Sequence, residues 1–322
     1  MLRTLIRTVL ALACVAAGAA AHAADLPTGT IRILVPFGAG GTTDLLARQL
    51  AEGMRRELNQ PVVVENRPGA GGTIAATQVA KAQPDGATLL LGTPGTQVTN
   101  KYLMAKPGYD VSRDFAPVIH VADAAGVVLA HPRTGLRTVA DLVKAARERP
   151  GQVTWASPGM GSTGHLAAEM FQHLSGARLS HVPYKSGAQV NTDILAGVVD
   201  VGVDNIPTAQ PHIQAGKLVA LGTTGLQPEA ALPGVEPVTR TLSGFNLVSW
   251  FVLVAPAATP AATVAELNRV ADKVMKQPEF AERMKALGAR AGGGTPQAAA
   301  DLIRSEEGKL RTLIERAGLK PE

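Results

Sequence analysis

Short runs of β-branched and leucine residues alternate with stretches of helical periodicity along almost the whole chain. Ile31–Val35 reads as a buried strand. Residues 43–58 follow as a helix, with Leu46, Leu50, Met54 and Leu58 on one face. Residues 62–64 form a second strand, residues 74–81 a second helix, and residues 88–91 a third strand after the Pro84-Asp85-Gly86 turn. Such alternation requires largely parallel strands with helices covering both faces of the sheet.

The pattern then restarts. Residues 127–130 read as a strand, 138–149 as a helix, 153–156 as a strand and 163–175 as a helix with the apolar stripe Leu166, Ala167, Met170, Phe171 and Leu174. Gly176 stands where a C-cap glycine belongs. Strands near 179–184, 199–203 and 219–222 complete a second sheet, and 247–254 reads as a long apolar strand. Helices near 260–276, 278–287 and 296–317 finish the chain. The expected fold is α/β with two lobes, each a mixed sheet flanked by helices. Residues 24–125 and 247–322 form lobe 1, residues 126–246 form lobe 2, and the chain crosses near 122–127 and 245–250. The alternative is one larger doubly wound sheet.

The first residues carry a different signal. Arg3 and Arg7 precede an apolar, alanine-rich run from Thr8 to Ala21, and Ala21-His22-Ala23 has the small-x-small form of a cleavage site. This is the three-part pattern of a secretory signal peptide, assigned to residues 1–23. The run is too short to span a bilayer core of about 30 Å. Cys14, the single cysteine, lies inside it, so the mature chain has no disulfide or thiolate metal site. Lipidation at Cys14 is disfavoured, because Ala11-Leu12-Ala13 lacks a large apolar residue three places upstream. Export from the cytoplasm follows. The net charge is +5, two of those charges being Arg3 and Arg7, and only 3% of residues are aromatic. No clustered basic face with stacking aromatics is available for nucleic acid.

Three glycine-rich turns follow strands and open helices. The first is Phe37-Gly38-Ala39-Gly40-Gly41-Thr42, leading to Thr43 and Asp44, either of which is a candidate helix cap. Glycines bring backbone amides close to a ligand, and the first N–H groups of a helix have no partner within it, so this is a ready anion site. The second runs from Ser157 through Gly159, Gly161, Ser162, Thr163 and Gly164 to His165. It matches Gly-x-Gly-x-x-Gly, but Tyr184 and Lys185 stand where a dinucleotide site wants an acid. The anion-cradle physics holds there too, with Ser157, Ser162 and Thr163 adding hydroxyls. The third, Arg67 to Thr73, could also face a ligand, but its neighbours are less polar and it reads equally well as a structural turn.

An enzyme is not indicated. Met160 replaces the first glycine of a nucleophile elbow before Ser162, and no phosphate-loop lysine or zinc-protease motif is present. Ser162 with His165 is the one arguable hydrolase pair, and a serine there reads first as a helix cap. His165 and His173 lack the spacing of a helical metal pair. No cofactor is expected.

An ordered series of motifs spans the mature chain. It comprises Val35-Pro36-Phe37 with Gly40-Gly41-Thr42-Thr43-Asp44, Val64-Glu65-Asn66-Arg67-Pro68-Gly69, Pro84-Asp85-Gly86, Asp114-Phe115-Ala116-Pro117, His181-Val182-Pro183-Tyr184-Lys185, Asp204-Asn205 and Ser249-Trp250-Phe251. In these the chain resembles the Bug family, the substrate-binding proteins of tripartite tricarboxylate transporters. The resemblance implies a type II periplasmic binding protein (Venus flytrap) fold that closes on a small carboxylate. It implies that the loop Phe37, Gly38, Ala39, Gly40, Gly41, Thr42 faces the loop Ser157, Gly159, Gly161, Ser162, Thr163, His165 across the cleft. Thr93, Thr96, Tyr184 and Asp204 are further expected contacts. The implied partners are the transporter's membrane subunits, with a sensor domain as the alternative, and the protein is expected to act as a monomer. One departure is Gly38-Ala39, where the family commonly has Pro-Pro.

Overall fold

The computed structural model describes residues 26–321. The signal-peptide and Cys14 readings lie outside those residues. Among the described residues, no helix is long and apolar enough to cross a membrane.

The first unit is built from β1 (Ile31–Val35), α1 (Thr42–Leu58), β2 (Val62–Asn66), α2 (Thr73–Ala80) and β3 (Thr88–Gly92). Strand β1 pairs in parallel with both β2 and β3, as strand-helix alternation demands. The apolar stripe of α1 is buried as expected at Leu46, Leu50 and Met54, which pack with Ile31, Ile33 and Leu89 of the sheet. Leu58 is only half-buried at the helix end.

The strand expected at 127–130 is the last quarter of a 16-residue strand, β4 (Phe115–Ala130). Its first part pairs with β9 (Val248–Pro256), with Ala125 opposite Val248. From Gly126 onward it pairs instead with β7 (Val201–Asn205) and β8 (Val219–Thr223). The change of partner falls at a glycine for a physical reason. The Gly126 amide donates to Thr224 Oγ1 at 2.8 Å, and a side chain at 126 would meet that threonine at 3.0 Å. One strand thus ties two sheets, each with its own neighbours, into a single ten-stranded sheet: eight strands form one path, and two more, β8 and the last strand of the chain, branch from β4.

The middle of the chain supplies α3 (Val139–Glu148), β5 (Thr154–Ser157), α4 (Thr163–Ser175), β6 (Ser180–Pro183), α5 (Gly187–Leu195) and α6 (Ile206–Gln214). Strand β5 runs parallel to β6 and β7. Helix α4 matches its expected range, with Leu166, Ala167 and Phe171 buried, but Leu174 is 37% exposed and leaves the stripe. Helices α5 and α6 were not read from the sequence, because Pro207, Pro211 and Gly187 break their pattern. Proline is tolerated in the first turn of α6, and a serine cap starts α5. The last helices, α7 (Ala261–Met275), α8 (Pro278–Ala286) and α9 (Pro296–Arg316), lie as expected. Between α8 and α9, β10 (Arg290–Gly293) adds an antiparallel pairing on β4. Helices α7 and α8 pack on the core of the first sheet through Leu267, Val274 and Met284, so the chain returns to where it began.

Candidate functional site

A cavity of about 50 Å³ lies where the carboxyl ends of β1, β3, β5 and β7 meet, the place where ligands sit in α/β sheets. From the first unit, Phe37, Gly41, Thr42, Thr43, Thr93, Pro94 and Gly95 line it. From the second come Pro158, Ser162, Thr163, Gly164, Gly187, Val203, Asp204 and Asn205, and Ser249 and Phe251 of β9 close it.

Polar contacts join the two sides. The Gly38 amide donates to the Lys185 carbonyl at 3.3 Å. Thr99 Oγ1 donates to the Gly161 carbonyl at 2.5 Å. Thr42 Oγ1 lies 3.2 Å from Thr208 Oγ1, and Ser249 Oγ donates to Asn205 Oδ1 at 2.9 Å. Gly38 stands where the resembled family commonly has proline, and here its lack of a side chain matters. A Cβ at 38 would lie 3.2 Å from the Cβ of Ser186, so glycine lets the loop approach the start of α5.

The α1 end leaves backbone donors free at the wall. Its N-cap is Gly41, and no side chain caps it, so the first amides of the helix are unpaired by the helix itself. The expected cap residues do something else. Asp44 reaches back to the Gly40 amide at 3.0 Å and pairs with Arg48. Burial pushes its carboxyl up, but Arg48 and the Gly40 amide outweigh that and hold it below the usual range. Thr93 Oγ1 is buried in the wall without a hydrogen-bond partner.

Asp204 is the charged side chain of the opposite wall. It is fully buried and bonded only by neutral groups: Asn191 Nδ2 at 2.8 Å, the Asn205 amide at 2.8 Å, and the Thr208 hydroxyl. Burial pushes its pKa up to about 6 despite these three donors. Gly187 is obligatory beside it, since a Cβ there would stand 2.1 Å from Asp204 Oδ1.

The structure therefore brings together Phe37, Gly41, Thr42, Thr93, Ser162, Thr163 and Asp204 of the expected site residues. The others fall outside the lining, and each has a reason. Ala39 and Gly40 are exposed, and the Gly38 amide is bonded to Lys185. Thr96 is wholly buried, its hydroxyl accepting from the Thr93 amide within the same turn. Ser157 Oγ bonds His181 Nε2 at 2.7 Å. The Gly159 carbonyl accepts from Ser162 Oγ at 2.5 Å. The Gly161 amide donates to His165 Nδ1 at 3.2 Å. Tyr184 donates its hydroxyl to Asp193 at 2.7 Å.

His165 faces a second cavity with Met160, Glu169 and His181. Its ring stacks on His181 with centroids 4.7 Å apart. Burial first, then the neighbouring His181, pushes its pKa down to about 4, and burial lowers His181 as well. His173, on the same helix, is exposed. Ser162 caps α4 by accepting from the His165 amide at 3.2 Å, and its hydroxyl does not meet the His165 ring. The arguable nucleophile-base pair is therefore not formed.

Sequence reasoning missed Ser249, Phe251, Asn205 and Gly187 as lining residues. The first three sit in motifs already singled out, Asp204-Asn205 and Ser249-Trp250-Phe251. The available signal was strand alternation, which sends Ser249 and Phe251 to the face opposite Trp250.

Comparison with known proteins places this arrangement among relatives. The profile described as "Tripartite tricarboxylate transporter family receptor" (TctC) matches residues 46–319. Protein BugT of Bordetella pertussis is 33% identical over 296 residues, covering 91% of each chain. An R. palustris protein solved with adipate superposes with a TM-score of 0.90 at 34% identity, covering 92% of this chain and all of that one. MatC of Rhodopseudomonas palustris, solved with bound malate, gives a TM-score of 0.85 at 29% identity, covering 89% of this chain and 99% of its own. The two-lobed periplasmic binding protein fold expected from the sequence is the fold found.

Proposed function

The chain belongs to the tripartite tricarboxylate transporter receptor family (TctC), and from that premise we propose that it is a periplasmic solute-binding protein that closes on a small carboxylate. As in its family, the task is capture rather than catalysis. The observation that carries this reading is the uncapped start of α1 opening on the cavity. Amides there, with the helix dipole behind them, replace the water around a carboxylate in a buried setting. The hydroxyls of Thr42 and Thr93 stand beside them, and Ser162, Thr163 and Asp204 form the opposite wall. Adipate and malate in the two structural relatives favour a dicarboxylate of four to six carbons.

We assign the lobes to residues 24–125 with 247–322 and to residues 126–246. The change of partner along β4 between Ala125 and Gly126 supports that division. Residues 1–23 direct export, and the closed protein hands its ligand to the transporter's membrane subunits.

Thermal melting of residues 24–322, refolded to strip bound ligand, tests the reading against mono-, di- and tricarboxylates and amino acids. A ligand at one hundred times its Kd stabilises by about 2.7 kcal/mol. A shift with dicarboxylates is expected. The absence of a shift with every acid would sink the proposal.

A further inference from the structure

A cavity built to hold an anion has one carboxylate in its own wall. Asp204 lines it, is fully buried, and has only neutral hydrogen-bond partners: Asn191, Thr208 and the Asn205 amide. Among the described residues no cation pairs with it. The elements packed around it confirm that isolation. On α5 the titratable group is Asp193, bonded to the Tyr184 hydroxyl, with Lys185 exposed before the helix. On α6 it is His212, a full turn beyond Thr208. On α1 it is Asp44, already held by Arg48. Asp123 of β4 is paired with His120, and Ser249 and Phe251 of β9 bring no charge to the cavity. None of these adds a charge effect on Asp204, whose pKa is set by burial and its three donors.

Two carboxylates enclosed in one dry cavity repel strongly, and the usual outcome is that one of them holds a proton. The ligand lies against the α1 amides, which favour its charged form. Asp204 has nothing comparable. We propose that the protein captures its carboxylate together with one proton, taken from solvent onto the Asp204 carboxylate, so that the closed site holds a neutral Asp204 beside an anionic ligand. The proton bonds to Oδ1, which accepts one hydrogen bond, whereas Oδ2 accepts two. No other bond forms or breaks. Asp204 thereby selects for acids whose capture tolerates this cost, and affinity falls as pH rises above about 6.

The inference rests on the carboxylate reading, and its test separates the two. Adipate, a dianion at pH 7.5, is titrated calorimetrically into the ligand-free chain in buffers of different ionisation enthalpy. The expected dependence corresponds to about one proton taken up per adipate at pH 7.5, because a group titrating at about 6 is then almost fully ionised before binding. Affinity should fall about tenfold per pH unit between 7 and 9. In Asp204→Asn the residual binding should show neither buffer dependence nor that pH slope. Binding by the wild type without proton uptake overturns the inference and leaves carboxylate capture standing. So does equal uptake by Asp204→Asn. Absence of binding by any acid overturns both. The wild-type proton count stands even where the variant fails to fold.

Discussion

Two glycine-rich loops that look alike in the sequence meet opposite fates. Both follow a strand, both open a helix, and both carry hydroxyl residues at the turn. Before α1, Gly41 occupies the N-cap and no side chain serves the helix amides. Before α4, Ser162 caps the helix, His165 accepts from the Gly161 amide, and Thr99 takes the Gly161 carbonyl. The first loop is left with unmet donors at the cavity. The second has already bonded the amides of Gly159, Gly161 and Ser162 within the turn. The N-caps differ by one residue: a serine hydroxyl takes the His165 amide, where a glycine has no side chain to offer.

Removing a donor from the first loop should have the largest effect. Thr42 is the first helical residue, a position where proline fits and where the preceding Gly41 is already extended. Thr42→Pro deletes one amide and one hydroxyl while keeping the helix. At about 1.5–3 kcal/mol per hydrogen bond to a charged group, ligand affinity should fall by about a hundredfold, with melting shifted little. Calorimetry with adipate reads the first effect and a melt of the ligand-free protein the second.

The second loop should answer to acid instead. The His165 pKa is depressed to about 4 in the fold and returns to about 6.5 on unfolding. The unfolded chain therefore holds more protons between these values, so stability is full above about 6.5 and is lost as pH falls toward 4. Asp204 acts in the opposite sense below about 6, since its raised pKa lets the folded chain hold the extra proton. Comparison with His165→Gln separates them: the variant should lose less of its melting temperature between pH 7 and 4.5.

Gly41→Ser converts the first loop toward the second. A Cβ at 41 meets its nearest neighbour at 3.5 Å, ordinary contact, and the new hydroxyl occupies a helix amide. Affinity should drop by about tenfold, while stability rises by a few tenths of a kcal/mol. The reverse exchange is the mildest. Ser162→Ala should cost about 1 kcal/mol in a denaturant melt, the usual loss for a cap, and change affinity by less than threefold. A larger loss of affinity in Ser162→Ala than in Gly41→Ser would reverse the comparison.

The sequence carried the fold well wherever periodicity was strong. The stripes of α1 and α4 stand where they are expected except at their ends, Leu58 and Leu174, and so do the pairing strands. It failed at α5 and α6, where prolines and glycines obscure helices that tertiary packing holds, and at β4, whose length shows only once its two sets of partners are known. For the site, glycine and hydroxyl residues marked both loops, but sequence could not distinguish a donor that faces the cavity from one already bonded. His165 and Tyr184 look like ligand contacts in a string of residues, and in three dimensions His181 and Asp193 claim them. Ser249 and Phe251 come from a distant strand, visible as cleft residues only after the chain has returned.

The most direct test follows backbone amides one by one. In a 15N-resolved NMR titration of the assigned, ligand-free chain with adipate, the largest downfield amide proton shifts should fall on Gly41, Thr42 and Thr43. Gly159, Gly161 and Ser162 should move little, since their bonds are already made. Hydrogen-bond shifts concentrated in the Gly159–Ser162 turn, with residues 41–43 unmoved, would contradict the account.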